Sequence, residues 1–259
     1  MTQPTLGAIA ADLDALLGTA AIPDYPAALN GVQLENRAPV RRVAAAVDFS
    51  TRVIDGALAA GANLLVVHHG MYWGGLRPLV GPAYERVRRL MEHDVAVYAA
   101  HLPLDAHPEI GNAALLAREL GLERRDAFGQ YKSIAVGARG ESDVETAALL
   151  ERARTFARGH GGDAIASRFA PGRRTRRWAI VTGSGATAET LREAAESGVD
   201  TLIVGEGPHW SAVDAEEMGL VVVYAGHYAT ETLGVQALAR RLAERFGLPW
   251  SFVEAPTGL

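Results

Sequence analysis

The chain has 259 residues, enough for one large domain or two of ordinary size, and its 49% hydrophobic and 21% charged residues are typical of a globular protein. A net charge of −5 argues against nucleic acid as the main partner, because phosphate binding needs a positive surface. Cysteine is absent, which excludes disulfides and thiolate metal sites, and without a signal pattern or ~18 consecutive apolar residues we expect a cytoplasmic protein with no membrane partner.

The first elements of the chain are a helix and a long loop. Apolar residues recur on one helical face over residues 5–18, and Gly18 is suited to end that helix. Residues 20–39 are rich in Pro and Asn and predict a loop. Within it, Asn30-Gly31-Val32-Gln33 is either a surface turn or part of a functional site, and the sequence leaves both open.

Strands and helices then alternate. Strands are predicted at 42–48, at 64–67 and at the start of 95–105, and helices at 50–60, 83–93 and 110–120. Strands joined by single helices require crossover connections, which predicts a largely parallel sheet with helices on both faces. In such sheets, ligands lie beyond the carboxyl ends of the strands.

A middle segment has no counterpart in the first part of the chain. Residues 133–138 predict a strand and residues 142–156 a helix. A basic stretch follows, containing Arg173, Arg174, Arg176 and Arg177. These arginines fit a solvated loop or a subunit contact better than a grip on an anionic ligand.

The alternation resumes at Trp178. It predicts helices at 187–197, 211–218 and 232–245, with a strand at 201–204 and another beginning at Val221. The order of elements matches that of the first half. We therefore predict an α/β fold of two duplicated αβ units, with mostly parallel sheets flanked by helices, in the halves 1–130 and 131–259.

Two stretches of the chain resemble each other in detail. Val95–Asp105 reads VAVYAAHLPLD and Val221–Glu231 reads VVVYAGHYATE. Each is a short apolar run typical of a buried strand, followed by His, three residues and a carboxylate. His101 with Asp105, and His227 with Glu231, therefore follow the ends of equivalent strands, which suggests that they hold something together.

A third polar cluster, His68-His69-Gly70, follows the predicted strand 64–67. Neighbouring residues of a strand point to opposite faces, so both imidazoles reach one centre only if the strand breaks, and Gly70 supplies such a break. Four imidazoles and two carboxylates exceed the ligands of one tetrahedral zinc but suit two divalent ions that hydrolyse a substrate. Zn, Mn, Fe, Co and Ni all accept these ligands.

Other polar and aromatic residues stand near these clusters in the sequence. Glu206 and His209 follow the strand 201–204 and are candidates for proton transfer, or else a surface carboxylate and a partly buried histidine. Tyr72 and Trp73 follow Gly70 and either line a pocket for a flat ligand or simply pack.

The HHG cluster, the block from VYAAHLPLD to GNAALLARELGL, and AGHYATETLG together resemble the GTP cyclohydrolase I type 2 family, also called Nif-three-like. The resemblance covers essentially the whole chain and implies a Nif-three-like fold with a dinuclear metal centre. The ligands that it implies are His68, His69, Asp105, His227 and Glu231. It also implies a role for His101 next to the ions or as a weaker ligand, and a toroidal homohexamer.

One departure from the family pattern stands at the tip of the second half. Val204-Gly205-Glu206 is followed by His209-Trp210, where the family pattern leads us to expect a His pair, so the pattern supports no role for a second histidine there.

The family name implies hydrolytic opening of the guanine ring of GTP with release of formate. The chain contains no glycine-rich phosphate loop with its lysine. We therefore expect a metal-dependent hydrolase acting on a nucleotide or another small molecule. The alternatives are a metal-handling or insertion factor without turnover and, less favoured, an interaction scaffold stiffened by its metals.

Overall fold

The computed structural model describes residues 3–259, which form two compact units. Unit 1 comprises Met1–Leu104 and Gly234–Ala255, and unit 2 comprises Asp105–Leu233 and Pro256–Leu259. The predicted halves were 1–130 and 131–259, whereas the first boundary between these units falls after Leu104 and Gly234–Ala255 belongs to unit 1. Among residues 3–259, no helix has the length and apolar character needed to cross a membrane.

Strands and helices alternate along most of the described chain. The strands are β1 (Gly31–Leu34), β2 (Val43–Asp48), β3 (Leu64–His69), β4 (Ala96–Ala99), β5 (Asp126–Tyr131), β6 (Ile134–Glu145), β7 (Ile165–Ala166), β8 (Arg174–Val181), β9 (Thr201–Val204), β10 (Val221–Tyr224) and β11 (Trp250–Phe252). The helices are α1 (Leu6–Leu17), α2 (Thr51–Ala59), α3 (Pro82–Glu92), α4 (Leu102–Asp105), α5 (Asn112–Glu119), α6 (Thr146–Gly159), α7 (Ala188–Glu196), α8 (His209–Glu217), α9 (His227–Thr230) and α10 (Thr232–Phe246). A 3-10 turn, Thr19–Ala21, follows α1.

The sheet of unit 1 has the strand order β1-β4-β3-β2-β11. Its strands are parallel except β1, which pairs antiparallel with β4. Every residue of β3 and β4 is buried, as expected for parallel strands that are covered on both faces. Ile54 of α2 packs with Leu65 of β3 in the core of this unit.

The sheet of unit 2 has the order β5-β6-β8-β9-β10-β7. β8, β9 and β10 are parallel, and β5, β6 and β7 pair antiparallel with their neighbours. Consecutive side chains of β8 belong to two separate hydrophobic clusters. Ile180 packs in one cluster with Leu149 of α6, and Val181 packs in the other with Leu191 of α7. The sheet is thus covered on both faces, as its apolar strands predict.

Both units contain the same succession of elements. β2, β3 and β4 are adjacent parallel strands linked by α2 and α3, and β8, β9 and β10 are linked by α7 and α8 in the same order. An antiparallel strand lies beside the last member of each trio, β1 beside β4 and β7 beside β10. A one-turn helix then follows each trio, α4 after β4 and α9 after β10. The predicted α/β fold is therefore confirmed.

Two predicted boundaries are wrong. Residues 142–145 belong to β6 rather than to a helix, because Val144 and Glu145 pair with β8. Their exposure alternates along the strand, so these polar residues do not form a continuous apolar run. Residues 20–39, predicted as a loop, contain β1, and Gly31 at its start has a φ of 103°, a conformation that glycine tolerates.

The arginine-rich stretch forms part of the sheet of unit 2. Arg174, Arg176 and Arg177 lie in β8 and not in a solvated loop, which was one of the two structures expected for them. Arg174 forms an ion pair with Asp143 of β6 at 2.5 Å. Arg173 donates hydrogen bonds to the carbonyl oxygens of Asp200 and Gly219. At least two of the four arginine side chains therefore have intramolecular partners, which reduces their capacity to grip an anion.

Candidate metal centre

Three histidines of unit 1 lie close together at the carboxyl ends of β3 and β4. The imidazole centroid of His68 lies 4.9 Å from those of both His69 and His101, and the last two are 5.6 Å apart. All three residues are buried. Each offers a ring nitrogen, and these nitrogens lie within 4.8 Å of one another, so the three side chains could hold a metal ion.

The predicted break after the two histidines lies at Gly70, although the strand before it is longer than predicted. β3 continues through His69, which lies opposite Asp48 of β2, and Gly70 is the first residue outside the strand. The rings of His68 and His69 nevertheless lie closer together than opposite faces of a sheet permit. β3 therefore extends two residues beyond the predicted strand 64–67 and ends before Gly70, where the break was predicted.

Each of these imidazoles is oriented by an oxygen atom 2.8 Å from its Nδ1. The acceptor is the carbonyl of Ala100 for His68, the carboxylate of Asp48 for His69 and the carboxylate of Asp24 for His101. A carbonyl or an ionised carboxylate can only accept a hydrogen bond, so Nδ1 carries a proton and, in the neutral imidazole, the lone pair lies on Nε2. Histidines that bind metals are oriented in this way by oxygen acceptors.

Asp24 is held by a network from the loop before β1. Its Oδ2 accepts hydrogen bonds from Asn30 Nδ2 (2.7 Å) and the Leu102 backbone N–H (2.9 Å). Asn30 Oδ1 in turn accepts the backbone N–H of His101 at 2.7 Å. Burial raises the pKa of Asp24, but the hydrogen bond and charge of His101, with the hydrogen bonds from Asn30 and the Tyr25 N–H, outweigh burial and keep it below its ordinary value.

Unit 2 contains a second group, formed by His227, Glu231 and Glu206. His227 is the first residue of α9 and Glu231 follows its last, and the Nε2 of His227 lies 3.2 Å from Oε2 of Glu231. The Nδ1 of His227 lies 2.8 Å from Oε1 of Glu206. Glu231 is buried against Gly183, since a Cβ added at Gly183 would lie 2.2 Å from Glu231 Oε1. Both units thus contain the same arrangement, in which a histidine at the end of a strand has a carboxylate oxygen within hydrogen-bond distance of its Nδ1.

The remaining predicted site residues of unit 2 differ in their surroundings. Asp105, at the end of α4, is buried and accepts a hydrogen bond from Asn112 Nδ2 at 2.8 Å. Glu206, predicted to take part in proton transfer, has its Oε1 beside Nδ1 of His227. His209 begins α8 and is exposed, and no hydrogen bond or ion pair within residues 3–259 joins it to the group of His227.

The two carboxylates beside His227 control its protonation. Burial lowers the pKa of His227, but the hydrogen bonds and negative charges of Glu231 and Glu206 outweigh burial and raise it to about 9. An imidazole must be neutral to bind a metal. A cation bound at this group would therefore have to displace the His227 proton at neutral pH.

We expect metal binding to release about one proton from His227 near neutral pH. The apparent affinity for Zn²⁺ should rise with pH up to about 9, the pKa of His227, and then level off. Calorimetric titrations in buffers of different ionisation enthalpy measure this release. Glu206→Gln removes one of the charges that raise the pKa and should diminish it. A binding enthalpy that is the same in every buffer would contradict the prediction.

The chain is similar to known proteins over nearly its whole length. A family model described as Duf34/NIF3 (NGG1p interacting factor 3) matches residues 6–257. A Deinococcus radiodurans protein named GTP cyclohydrolase 1 type 2 homolog is 41% identical over 242 residues, covering 91% of this chain and 88% of that protein.

Two solved structures share the fold. Protein ybgI matches with a TM-score of 0.88 and 32% identity, covering 98% of this chain and 100% of its own. The protein TTHA1606 from Thermus thermophilus matches with a TM-score of 0.84 and 37% identity, covering 97% of this chain and 98% of its own.

Proposed function

Because the chain belongs to the Duf34/NIF3 family, we propose that it is a metal-dependent hydrolase that acts on a nucleotide or another small molecule with two bound divalent ions. The proposed ligands are His68, His69, Asp105, His227 and Glu231. They supply only nitrogen and oxygen donors, which suit zinc, manganese, iron, cobalt or nickel. The names of relatives such as the Deinococcus radiodurans protein support GTP as the first substrate to test.

The observation that carries this proposal is the orientation of the histidines. In His68, His69 and His227, the Nδ1 lies 2.8 Å from an oxygen acceptor. Metal-binding histidines in general need such a partner to fix the ring and raise its basicity. Structural histidines have no common need to present Nε2 in this way, so the repeated pattern favours ligands over isolated packing residues.

Divalent ions, when bound, supply Lewis acidity and an activated water for hydrolysis. The chain's own residues contribute orientation and proton transfer. Asp24 keeps the proton of His101 on Nδ1, which presents Nε2 of His101 to the ions as an additional, weaker ligand or to a reacting group whose proton it would accept. Asp48 and Glu206 orient His69 and His227, the proposed ligands.

We expect the metal-loaded protein to release formate from GTP, and Asp105→Ala and Glu231→Ala to abolish that release. Each variant removes a proposed ligand, so activity should fall by more than the ~10–100-fold that loss of a supporting residue costs in metal sites. Glu217→Ala, an exposed carboxylate on α8, is the control and should retain activity. The cyclohydrolase proposal fails if wild type and all variants release the same background formate.

Retention of the ions separates the enzyme from a metal-handling factor. A delivery factor should lose its ion to a competing chelator within minutes, whereas an enzyme should retain it over many turnovers. Elemental analysis of the saturated protein addresses the dinuclear centre, for which we expect two ions per chain. One ion or none per chain would contradict it.

We also propose that the protein forms a homohexamer in the cytoplasm. The family resemblance supports this assembly, and so does exposed apolar surface on unit 1: Leu76 is 94% and Val80 69% exposed. Six chains of 27.4 kDa give about 164 kDa, which light scattering coupled to size-exclusion chromatography resolves. Cell fractionation tests the compartment.

A further inference from the structure

An indole ring covers part of the histidine cluster of unit 1. Trp73 lies in the turn after β3, and its ring stacks on the imidazole of His69 with centroids 4.6 Å apart and planes 22° apart. Its centroid also lies 4.3 Å from that of His101. The residue nevertheless remains 36% exposed. Trp73 therefore contacts the candidate ligands while part of its surface faces solvent.

Tyr25 forms a second aromatic wall at the same place. Its ring meets that of Trp73 edge to face, with centroids 6.2 Å apart and planes 85° apart, and lies 6.0 Å from His101. Tyr25 is 49% exposed. Two aromatic rings at right angles form a corner in which a flat ring can stack on one wall and meet the edge or face of the other.

Hydrogen bonds hold the two walls of this corner. The backbone N–H of Tyr25 donates to Asp24, the same carboxylate that orients His101. On the other side, Gln33 Oε1 accepts the N–H of Met71 at 2.6 Å, and its Nε2 donates to carbonyl oxygens of the loop before β1. A Cβ at Gly70 would lie 2.4 Å from the Gln33 amide, so a larger residue there would push the Gln33 side chain away from the turn. The corner is thus built into the fold.

A role for Trp73 and Tyr25 in shielding the histidines from water does not by itself explain why both rings stay partly exposed. A covering residue would gain most from complete burial, whereas Trp73 and Tyr25 keep a third to a half of their surface in water. Small-molecule sites combine such aromatic walls with a few convergent polar groups, here His69 and His101. The geometry points to a binding site for a flat ring beside the three histidines.

We propose that Trp73 and Tyr25 bind the planar ring of an aromatic or heteroaromatic ligand by stacking, and so select substrates that contain such a ring. The proposal rests on the proposed function for the identity of that ligand as a substrate. Binding of the ring itself needs neither metal nor turnover.

The test is calorimetric titration of the metal-free, full-length protein with guanosine, and with ribose as the ring-free control. Guanosine should bind saturably and ribose should not. Trp73→Leu keeps an apolar side chain against His69 but removes the aromatic face, and we expect guanosine binding to weaken about tenfold or more. Trp73→Phe keeps a flat ring and should remain within about threefold of wild type.

The comparison of Trp73→Phe with Trp73→Leu separates stacking from packing, since loss of packing alone would affect both variants alike. Tyr84→Ala removes another half-exposed tyrosine, on α3, and should leave binding unchanged. Equal guanosine affinity in Trp73→Leu and wild type, or no guanosine binding at all, would overturn the proposal. If guanosine binds through Trp73 but GTP is not hydrolysed, the hydrolase fails and the ring site stands. If GTP is hydrolysed but guanosine binding does not depend on Trp73, the ring site fails and the hydrolase stands.

Discussion

Gly183→Ala is expected to remove most of the protein's affinity for divalent metal while leaving it folded. Gly183 follows β8, and a Cβ there would lie 2.2 Å from Glu231 Oε1 and 3.4 Å from His227 Nε2. The atom in closest conflict is the end of a side chain, so Glu231 can turn aside rather than force the backbone apart. Glu231 would then no longer lie beside His227.

The loss of affinity should reach at least the ~10–100-fold that loss of a supporting residue costs in metal sites, because a proposed ligand itself is displaced. The φ of Gly183 is 61°, which adds a stability cost of about 1–2 kcal/mol for a residue with a Cβ. Competition with a chromophoric chelator measures affinity, and thermal unfolding measures stability.

Gly172→Ala is the matched control for this prediction. Gly172 belongs to the same unit and has a φ of 75°, yet a Cβ there meets nothing within 4 Å. It should show the same kind of backbone cost and retain full metal affinity. If both variants bind metal equally well, Glu231 does not contribute to metal binding in the way proposed.

Asp24→Asn is expected to weaken metal binding about 10–100-fold and also to destabilise unit 1. The carboxylate accepts N–H groups at both oxygens, among them His101 Nδ1 at 2.8 Å and Asn30 Nδ2 at 2.7 Å. Asparagine has one acceptor oxygen and one NH₂ group, so an N–H would face another N–H in a buried place. Such a mismatch costs about 1–3 kcal/mol.

The metal affinity is expected to fall because the partner of His101 Nδ1 sets its tautomer. With an NH₂ group opposite, Nδ1 becomes the acceptor and the proton moves to Nε2, which then cannot bind a metal. The ¹⁵N chemical shifts of the imidazole report this change directly. The chemical shifts would change with the tautomer of His101 even if Asp24→Asn left the stability of the protein unchanged.

Asp14→Asn is the control for general destabilisation. Asp14 accepts a hydrogen bond from the buried Tyr98 hydroxyl at 2.7 Å in the same unit. Its replacement should lower stability without altering the tautomer of His101 or the affinity for metal. Equal losses of metal affinity in the two variants would show that the effect of Asp24→Asn is not specific to His101.

The strand-end histidines can be found from the sequence, whereas the residues that orient them cannot. His101 and His227 stand at the same place in two similar stretches, so a local pattern identifies them. Asp24 is 77 residues from His101, and Asp48 is 21 residues from His69. No spacing rule links such pairs. The pairing of β2 with β3, which sets Asp48 opposite His69, reveals one of them only in three dimensions.

The same limit explains the errors in the fold. Buried strands such as β9 can be predicted because each is a continuous apolar run. The C-terminal part of β6 consists of residues with alternating exposure, and its place in the sheet depends on register with β8. Local composition cannot supply that register, since the partner strand lies some thirty residues away, as the pairing of Glu145 with Arg174 shows.

The return of β11 to the sheet of unit 1 has a consequence for synthesis on the ribosome. β11 pairs with β2, so the last strand of the first sheet emerges only after every strand of unit 2 has been made. Unit 2, apart from Pro256–Leu259, is one uninterrupted stretch, Asp105–Leu233. The unit that starts later in the chain can therefore complete its sheet first. Until then, the newborn N-terminal segment exposes the edge of β2, an open edge of the kind that chaperones protect from pairing with other chains.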